Sequence, residues 1–158
     1  MRRLLAAAAW LAMVLLYPAS ADTRLETALN VSQGAIGSSV PDFMFQSADN
    51  GKIALRDLRG KPLLVTLIYT GCADVCPTII ESLAAAAETA EDALGKGSFN
   101  IITIGFDTRN DTPDRMRSFA RAHNAGGDNW HFASSDTKTI NRLSEAVGFN
   151  FFPSAGGF

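Results

Sequence analysis

Residues 63–69, Leu-Leu-Val-Thr-Leu-Ile-Tyr, form a near-continuous apolar run rich in β-formers. That pattern predicts a strand buried on both faces. Apolar side chains then recur at helical spacing at Ile79, Ile80, Leu83, Ala86, Ala87, Ala90 and Leu94. Pro77 is expected at the first helical position, where a missing N–H costs nothing, with Gly95 and Gly97 as the stop. Residues 99–106 predict a second buried strand around Ile101-Ile102-Thr103-Ile104. Thr112 as N-cap, Pro113 at the first position and Asp114 near the positive end of the dipole open another helix. Met116, Phe119, Ala120 and His123 lie on one face of it, and Gly126-Gly127 end it. Trp130-His131-Phe132 reads as a short strand. Asp136 or Thr137 caps a last helix through Val147, with Ile140, Leu143 and Val147 inward and Gly148 as its stop.

Upstream, residues 41–45 predict a short strand and residues 53–55 its return, joined at Asn50-Gly51, which tolerates the positive φ angles of a hairpin. Residues 22–40 are polar and small and read as a linker, with Leu25 and Leu29 spaced for one helical turn. Strands alternating with helices imply βαβ units and a largely parallel sheet covered on both faces. The expected class is α/β, thioredoxin-like: a central mixed sheet with flanking helices and an N-terminal β-hairpin. Its last strands, a final antiparallel hairpin, and a closing helix are missing from the pattern up to Phe158.

The first residues change the domain plan. Met1-Arg2-Arg3 is basic, and residues 4–16 are an apolar run of 13, too short to span a bilayer. Ala19-Ser20-Ala21 follows as a small-x-small site, so residues 1–21 read as a secretory signal peptide cut before Asp22. The rival is an uncleaved membrane anchor. Residues 22–40 then form the linker and residues 41–158 one domain. Cutting removes Arg2 and Arg3 from 14 basic residues against 16 acidic ones, leaving a formal charge of −4. Mild acidity without a basic patch argues against a nucleic-acid partner.

Cys72 and Cys76 are the only cysteines, and they fall between the first buried strand and Pro77. Three readings are open. Export favours a structural disulfide, although closing so short a loop stabilises weakly. Two thiolates on a helix start suit a soft metal, Cu(I) above Zn(II), with a third donor from elsewhere. A close dithiol also reduces disulfides, although the common oxidoreductase spacing has two intervening residues and not three.

The stretch Tyr69-Thr70-Gly71-Cys72-Ala73-Asp74-Val75-Cys76-Pro77-Thr78 resembles the signature of the Sco/SenC proteins, copper-binding factors of cytochrome c oxidase assembly. Pro41-Asp42-Phe43, residues 106–114 and Trp130-His131-Phe132 agree with it, so the resemblance covers about residues 41–158. It implies a thioredoxin-like fold, and copper (Cu(I)/Cu(II)) on Cys72 and Cys76 with one downstream histidine. It implies a chaperone, not an enzyme, which delivers copper to the binuclear site of oxidase subunit II or keeps that site's cysteines reduced. Another copper chaperone would be the donor. Localisation would be periplasmic, or facing the periplasm at the inner membrane through the N-terminal segment. The alternative is an exported thiol–disulfide oxidoreductase of redox defence, with Cys72 and Cys76 as its redox pair. A peroxiredoxin-like peroxidase would want a single peroxidatic cysteine with a nearby arginine, and that arrangement is not seen. The chain departs from the family at Ala73 and Thr108, where proline is usual. The expected third ligand, a histidine, would fall beyond Phe158.

Asp74, between the cysteines, and Asp107, at a strand end, are candidates to support the metal ligands through hydrogen bonds without binding the metal themselves. Asp111 is expected to organise its loop or cap the following helix. His123 and His131 are not expected to bind metal. Tyr69, Trp130 and Phe132 read as core.

Overall fold

The computed structural model describes residues 20–151, with side chains from Leu25 onward. The reading of residues 1–21 as a signal peptide or anchor falls almost wholly outside these residues, as does Gly156-Gly157-Phe158. Among the described residues no helix is long and apolar enough to cross a membrane.

A five-stranded sheet runs in the order β2-β1-β5-β4-β3. β1 (Met44–Ser47) and β2 (Lys52–Ala54) form the expected antiparallel hairpin, Phe45 opposite Ile53. Its turn works as the sequence requires: Asn50 and Gly51 take φ of 76° and 82°, the positive pair of a tight hairpin. A single 3₁₀ turn, Leu55–Leu58, leads on to β3 (Leu63–Ile68). β4 (Asn100–Gly105) pairs in parallel with β3 and with β5 (Trp130–Ser134), and β5 pairs antiparallel with β1. The mixed, helix-covered sheet is thioredoxin-like.

β4 is the buried centre. Its alternating side chains divide the core in two. Ile101 faces a layer with Ile68, Ile80, Met116, Phe119, Trp130 and Phe132. Ile102 and Ile104 face Phe45, Leu55, Ala133, Ile140 and Leu143. Helices α2 (Val75–Leu94) and α3 (Pro113–Ala122) cover the first face, and α4 (Thr137–Val147) covers the second. The caps fall as predicted. Thr112 accepts the Arg115 N–H, and Asp136 accepts the Thr139 N–H. The Trp130 indole N–H donates to the hydroxyl of buried Thr103 at 2.9 Å, so this core layer carries no unpaired polar atom at the pair.

Two expectations fail. β3 is not buried on both faces: it is an edge strand, and Leu64 and Val65 remain 41% and 38% exposed. Among the described residues nothing pairs with its outer side. Residues 22–40 are not all linker, because Ser20–Gly34 is helix α1. Its Leu25 and Leu29 are exposed, so no apolar stripe announced it. It meets the domain at its C-terminal end, against the left-handed cap of α4 at Gly148 (φ 68°). A Cβ on Gly148 would lie 2.7 Å from the Val31 carbonyl oxygen, 2.8 Å from Ser32 Cα and 3.0 Å from Ala35 Cβ.

Gly148→Ala therefore combines a left-handed backbone penalty with a backbone clash. It should destabilise the protein by about 2 kcal/mol or more. The urea midpoint measures this. A loss of only about 1 kcal/mol, the left-handed penalty by itself, would show that α1 does not dock there.

Candidate metal and redox centre

β3 delivers the chain to the site and α2 carries it away. After Ile68 the backbone turns, and the Cys72 N–H donates to the Tyr69 carbonyl at 3.1 Å. Helix α2 begins at Val75, so Pro77 is its third residue and not its first as expected. That position is still within the first turn, whose N–H groups have no partner inside the helix. Asp74 stands at the N-cap with an exposed side chain and makes no capping bond. The Cys76 N–H donates instead to the Cys72 sulfur at 3.3 Å. A thiol takes the place that a Ser, Thr or Asp oxygen usually fills. Thr78 closes the turn, its N–H and hydroxyl donating to the Asp74 carbonyl at 3.3 and 2.9 Å.

Both cysteines are free thiols, Cys72 half-buried and Cys76 buried. Their acidities diverge. Burial pushes the Cys72 thiol up. Hydrogen bonds from the Cys76 N–H, the Cys76 thiol, the Asp74 N–H and the Tyr69 hydroxyl outweigh it and bring Cys72 down to about 7. The aligned peptide dipoles of α2 act in the same direction. Burial is also the largest influence on Cys76. A Tyr69 N–H opposes it, but the bond to Cys72 and the charges of Cys72 and Asp111 add to it, and Cys76 rises to about 11. The pair therefore contains one thiol that ionises near neutrality and one that keeps its proton.

The other candidates separate. The Asp107 carboxylate turns to its own loop, accepting the Arg109 N–H at 3.3 Å and the Asn110 side-chain amide at 2.7 Å. Asp111 does not cap α3, since Thr112 does. Its carboxylate crosses to the cysteine turn, accepting the Thr70 N–H at 2.8 Å and the Thr70 hydroxyl at 2.7 Å. Its second oxygen accepts the Asp107 N–H at 2.9 Å. Tyr69 is more than core: its ring packs on Phe106 at 5.5 Å while its hydroxyl reaches Cys72. Both roles were hidden in the sequence. The only hint for Asp111 was an acid one residue too early to be the helix cap.

Trp130 and Phe132 are buried. His123 ends α3 with Nδ1 3.1 Å from Glu81 Oε1 and its ring against Phe119, and His131 sits in β5 opposite Ile102. Among the described residues no third His, Cys, Asp or Glu joins the two sulfurs in a group able to hold a metal. Two soft sulfur donors on a helix start suit Cu(I) by type and leave its coordination unfinished.

A family model described as SCO1/SenC matches residues 33–145. The SCO1 protein homolog of Bacillus subtilis (strain 168) is 30% identical over 95 residues, 59% of this chain and 47% of that protein. The chain thus spans about half the length of the curated relative it matches. A putative electron transfer protein from Aquifex aeolicus VF5 superposes with a TM-score of 0.67 at 28% identity, over 75% of this chain and 70% of that one. Arabidopsis thaliana ScoI, solved with copper bound, shares the fold with a TM-score of 0.65 at 17% identity, over 74% and 72% of the two chains.

The divergent acidities are measurable. The thiolate is the nucleophile, so a lowered thiol pKa places reactivity at neutral pH. Iodoacetamide should alkylate Cys72 with a pH midpoint of about 7 and spare Cys76 until about 11. Tyr69→Phe removes a donor to the Cys72 thiolate and should move the first midpoint upward. An unmoved midpoint would show that the hydroxyl is no partner of the sulfur.

Proposed function

Because the chain belongs to the SCO1/SenC family, we propose that it is an exported copper-binding factor of cytochrome c oxidase assembly. The observation that carries this is the dithiol itself: two free sulfurs at the mouth of α2, one held by the Cys76 N–H. Cys72 and Cys76 would hold copper as thiolates, with a third donor of imidazole type completing the set. Such a three-donor site, with Cys72 half-buried at the turn, would leave copper open to attack by a recipient's ligands. The recipient is the binuclear copper site of oxidase subunit II, and another copper chaperone would supply the metal. The protein works in the periplasm or facing it at the inner membrane, after export on residues 1–21.

The unequal acidities favour a second reading, an exported thiol–disulfide oxidoreductase. The Cys72 thiolate would attack a partner disulfide, forming a mixed disulfide and releasing one partner thiolate. Cys76, losing its proton, would then attack the Cys72 sulfur. That step closes the Cys72–Cys76 disulfide, frees the second partner thiol and leaves the partner reduced by two electrons. The same steps would keep subunit II cysteines reduced or serve redox defence.

Titration of the reduced protein with Cu(I) against a chromogenic chelator should show one copper per chain. Cys72→Ser and Cys76→Ser should each weaken binding by about a hundredfold or more, since each removes a thiolate ligand. Absence of chelator-competitive binding, together with intact reduction of insulin disulfides, would overturn the copper reading and leave the oxidoreductase.

A further inference from the structure

Asp111 is the one buried carboxylate among the described residues, 2% exposed, and nothing above gives it a task. An ionised carboxylate taken out of water is costly unless hydrogen bonds replace its hydration. Here three donors do so at 2.7–2.9 Å, the lengths of charge-assisted bonds. Two of them come from Thr70, two residues before Cys72. The third is the Asp107 N–H, two residues past the end of β4. The end of β4 is shaped to admit this side chain. A Cβ on Gly105 would lie 2.4 Å from Asp111 Cβ and 2.8 Å from Met116 Sδ. Glycine is needed there for space, since its φ is not one of the positive ones.

These contacts form a clamp. β3 ends at Ile68, and Phe106 N–H donates to the Ile68 carbonyl at 2.9 Å, closing the sheet. Beyond that bond the cysteine turn leaves the sheet. Between the end of β3 and Cys72, the backbone amide of Thr70 is held by Asp111, and Cys72 is held back onto Tyr69. We propose that Asp111 is a positioning residue for the dithiol: by fixing Thr70 from the loop that follows β4 it holds the Cys72 sulfur on its donors at the start of α2. The inference rests on the reading that Cys72 and Cys76 are the working groups. It does not depend on whether their work is copper binding or reduction.

Asp111→Asn keeps the shape but has one acceptor oxygen. It can serve the Thr70 pair or the Asp107 N–H, not both. Thr70→Val removes one donor and leaves the Asp111 charge in place. Thr70→Ser keeps the hydroxyl. The readouts, taken without copper, are the iodoacetamide rate at Cys72 at pH 7 and the Cys72–Cys76 disulfide potential against oxidised and reduced dithiothreitol. Circular dichroism and urea unfolding monitor the fold.

Asp111→Asn should slow alkylation roughly tenfold, since misplaced donors stabilise the thiolate less. It should also shift the disulfide potential. Thr70→Val should act in the same direction, Thr70→Ser should match the wild type, and the double variant Asp111→Asn/Thr70→Val should be no slower than Asp111→Asn alone. A carboxylate acting only through its charge would do the opposite, because removing a negative charge near thiols favours their thiolates. A faster Asp111→Asn, wild-type rates and potential, or multiplicative single effects would therefore overturn the proposal. If Asp111→Asn does not fold, Thr70→Val against Thr70→Ser decides alone: equal rates overturn the clamp. Failure of the wild type to bind copper would sink the copper reading and leave this test intact.

Discussion

An α-helix that starts beside a buried strand must find acceptors for its first N–H groups, and here a sulfur is one of them. Asp74 holds the N-cap position without capping, and the Cys76 N–H closes on Cys72 Sγ. The rest of the site follows from that bond. It needs a sulfur four residues ahead of the second residue of the helix, whose backbone N–H it accepts. It brings the thiols together without bonding them. It also sets the Cys72 sulfur against the positive end of α2, so the bond that starts the helix stabilises the thiolate as well. Structure and chemistry share one interaction at Cys72, whose sulfur cannot be replaced for one purpose alone.

The sheet supplies the rigidity this requires. β4, buried on both faces, is bracketed by β3 and β5, and the cysteine turn and the Asp107 loop leave from neighbouring strand ends. Open α/β sheets present ligand sites at that edge, because helix starts and loops converge there while the strands stay fixed. Asp111 is the tie between the two loops. Burial above all keeps Cys76 protonated, and the charge of the same carboxylate adds to it. Burial is thus used twice, once to hold a loop and once to separate two thiol acidities.

Much of this was legible where the code is local. Asn50-Gly51, Thr112-Pro113 and Asp136 act within four residues of themselves, so their sequence signals turned directly into a hairpin and two helix starts. The two cysteines could be placed for the same reason, since strand, turn and helix are contiguous. Apart from the start of α2, two residues ahead of the position expected from Pro77, what failed was non-local. An apolar strand reads alike whether one edge or two are paired, so the exposure of Leu64 and Val65 was invisible. Helix α1 carries no apolar stripe and docks through backbone at Gly148. Thr70 and Asp111 are 41 residues apart in sequence. No spacing rule joins them, and a lone acid before Thr112-Pro113 reads as part of a cap.

The order of ionisation links the two chemistries proposed for the dithiol. Near neutrality Cys72 exchanges its proton freely and Cys76 does not. A cation at the turn would supply the positive charge that Cys76 lacks, and coordinating thiols deprotonate in that field. A disulfide substrate brings no such charge. It acts by consuming the Cys72 thiolate in a mixed disulfide, and this removes one of the negative charges that hold Cys76 up. Either event releases the second sulfur only after the first is engaged. Cys76 is therefore kept from premature oxidation by the same burial and charge that delay its use. A single geometry can serve metal transfer and thiol reduction, and the ligand that separates them in function must come from outside the pair.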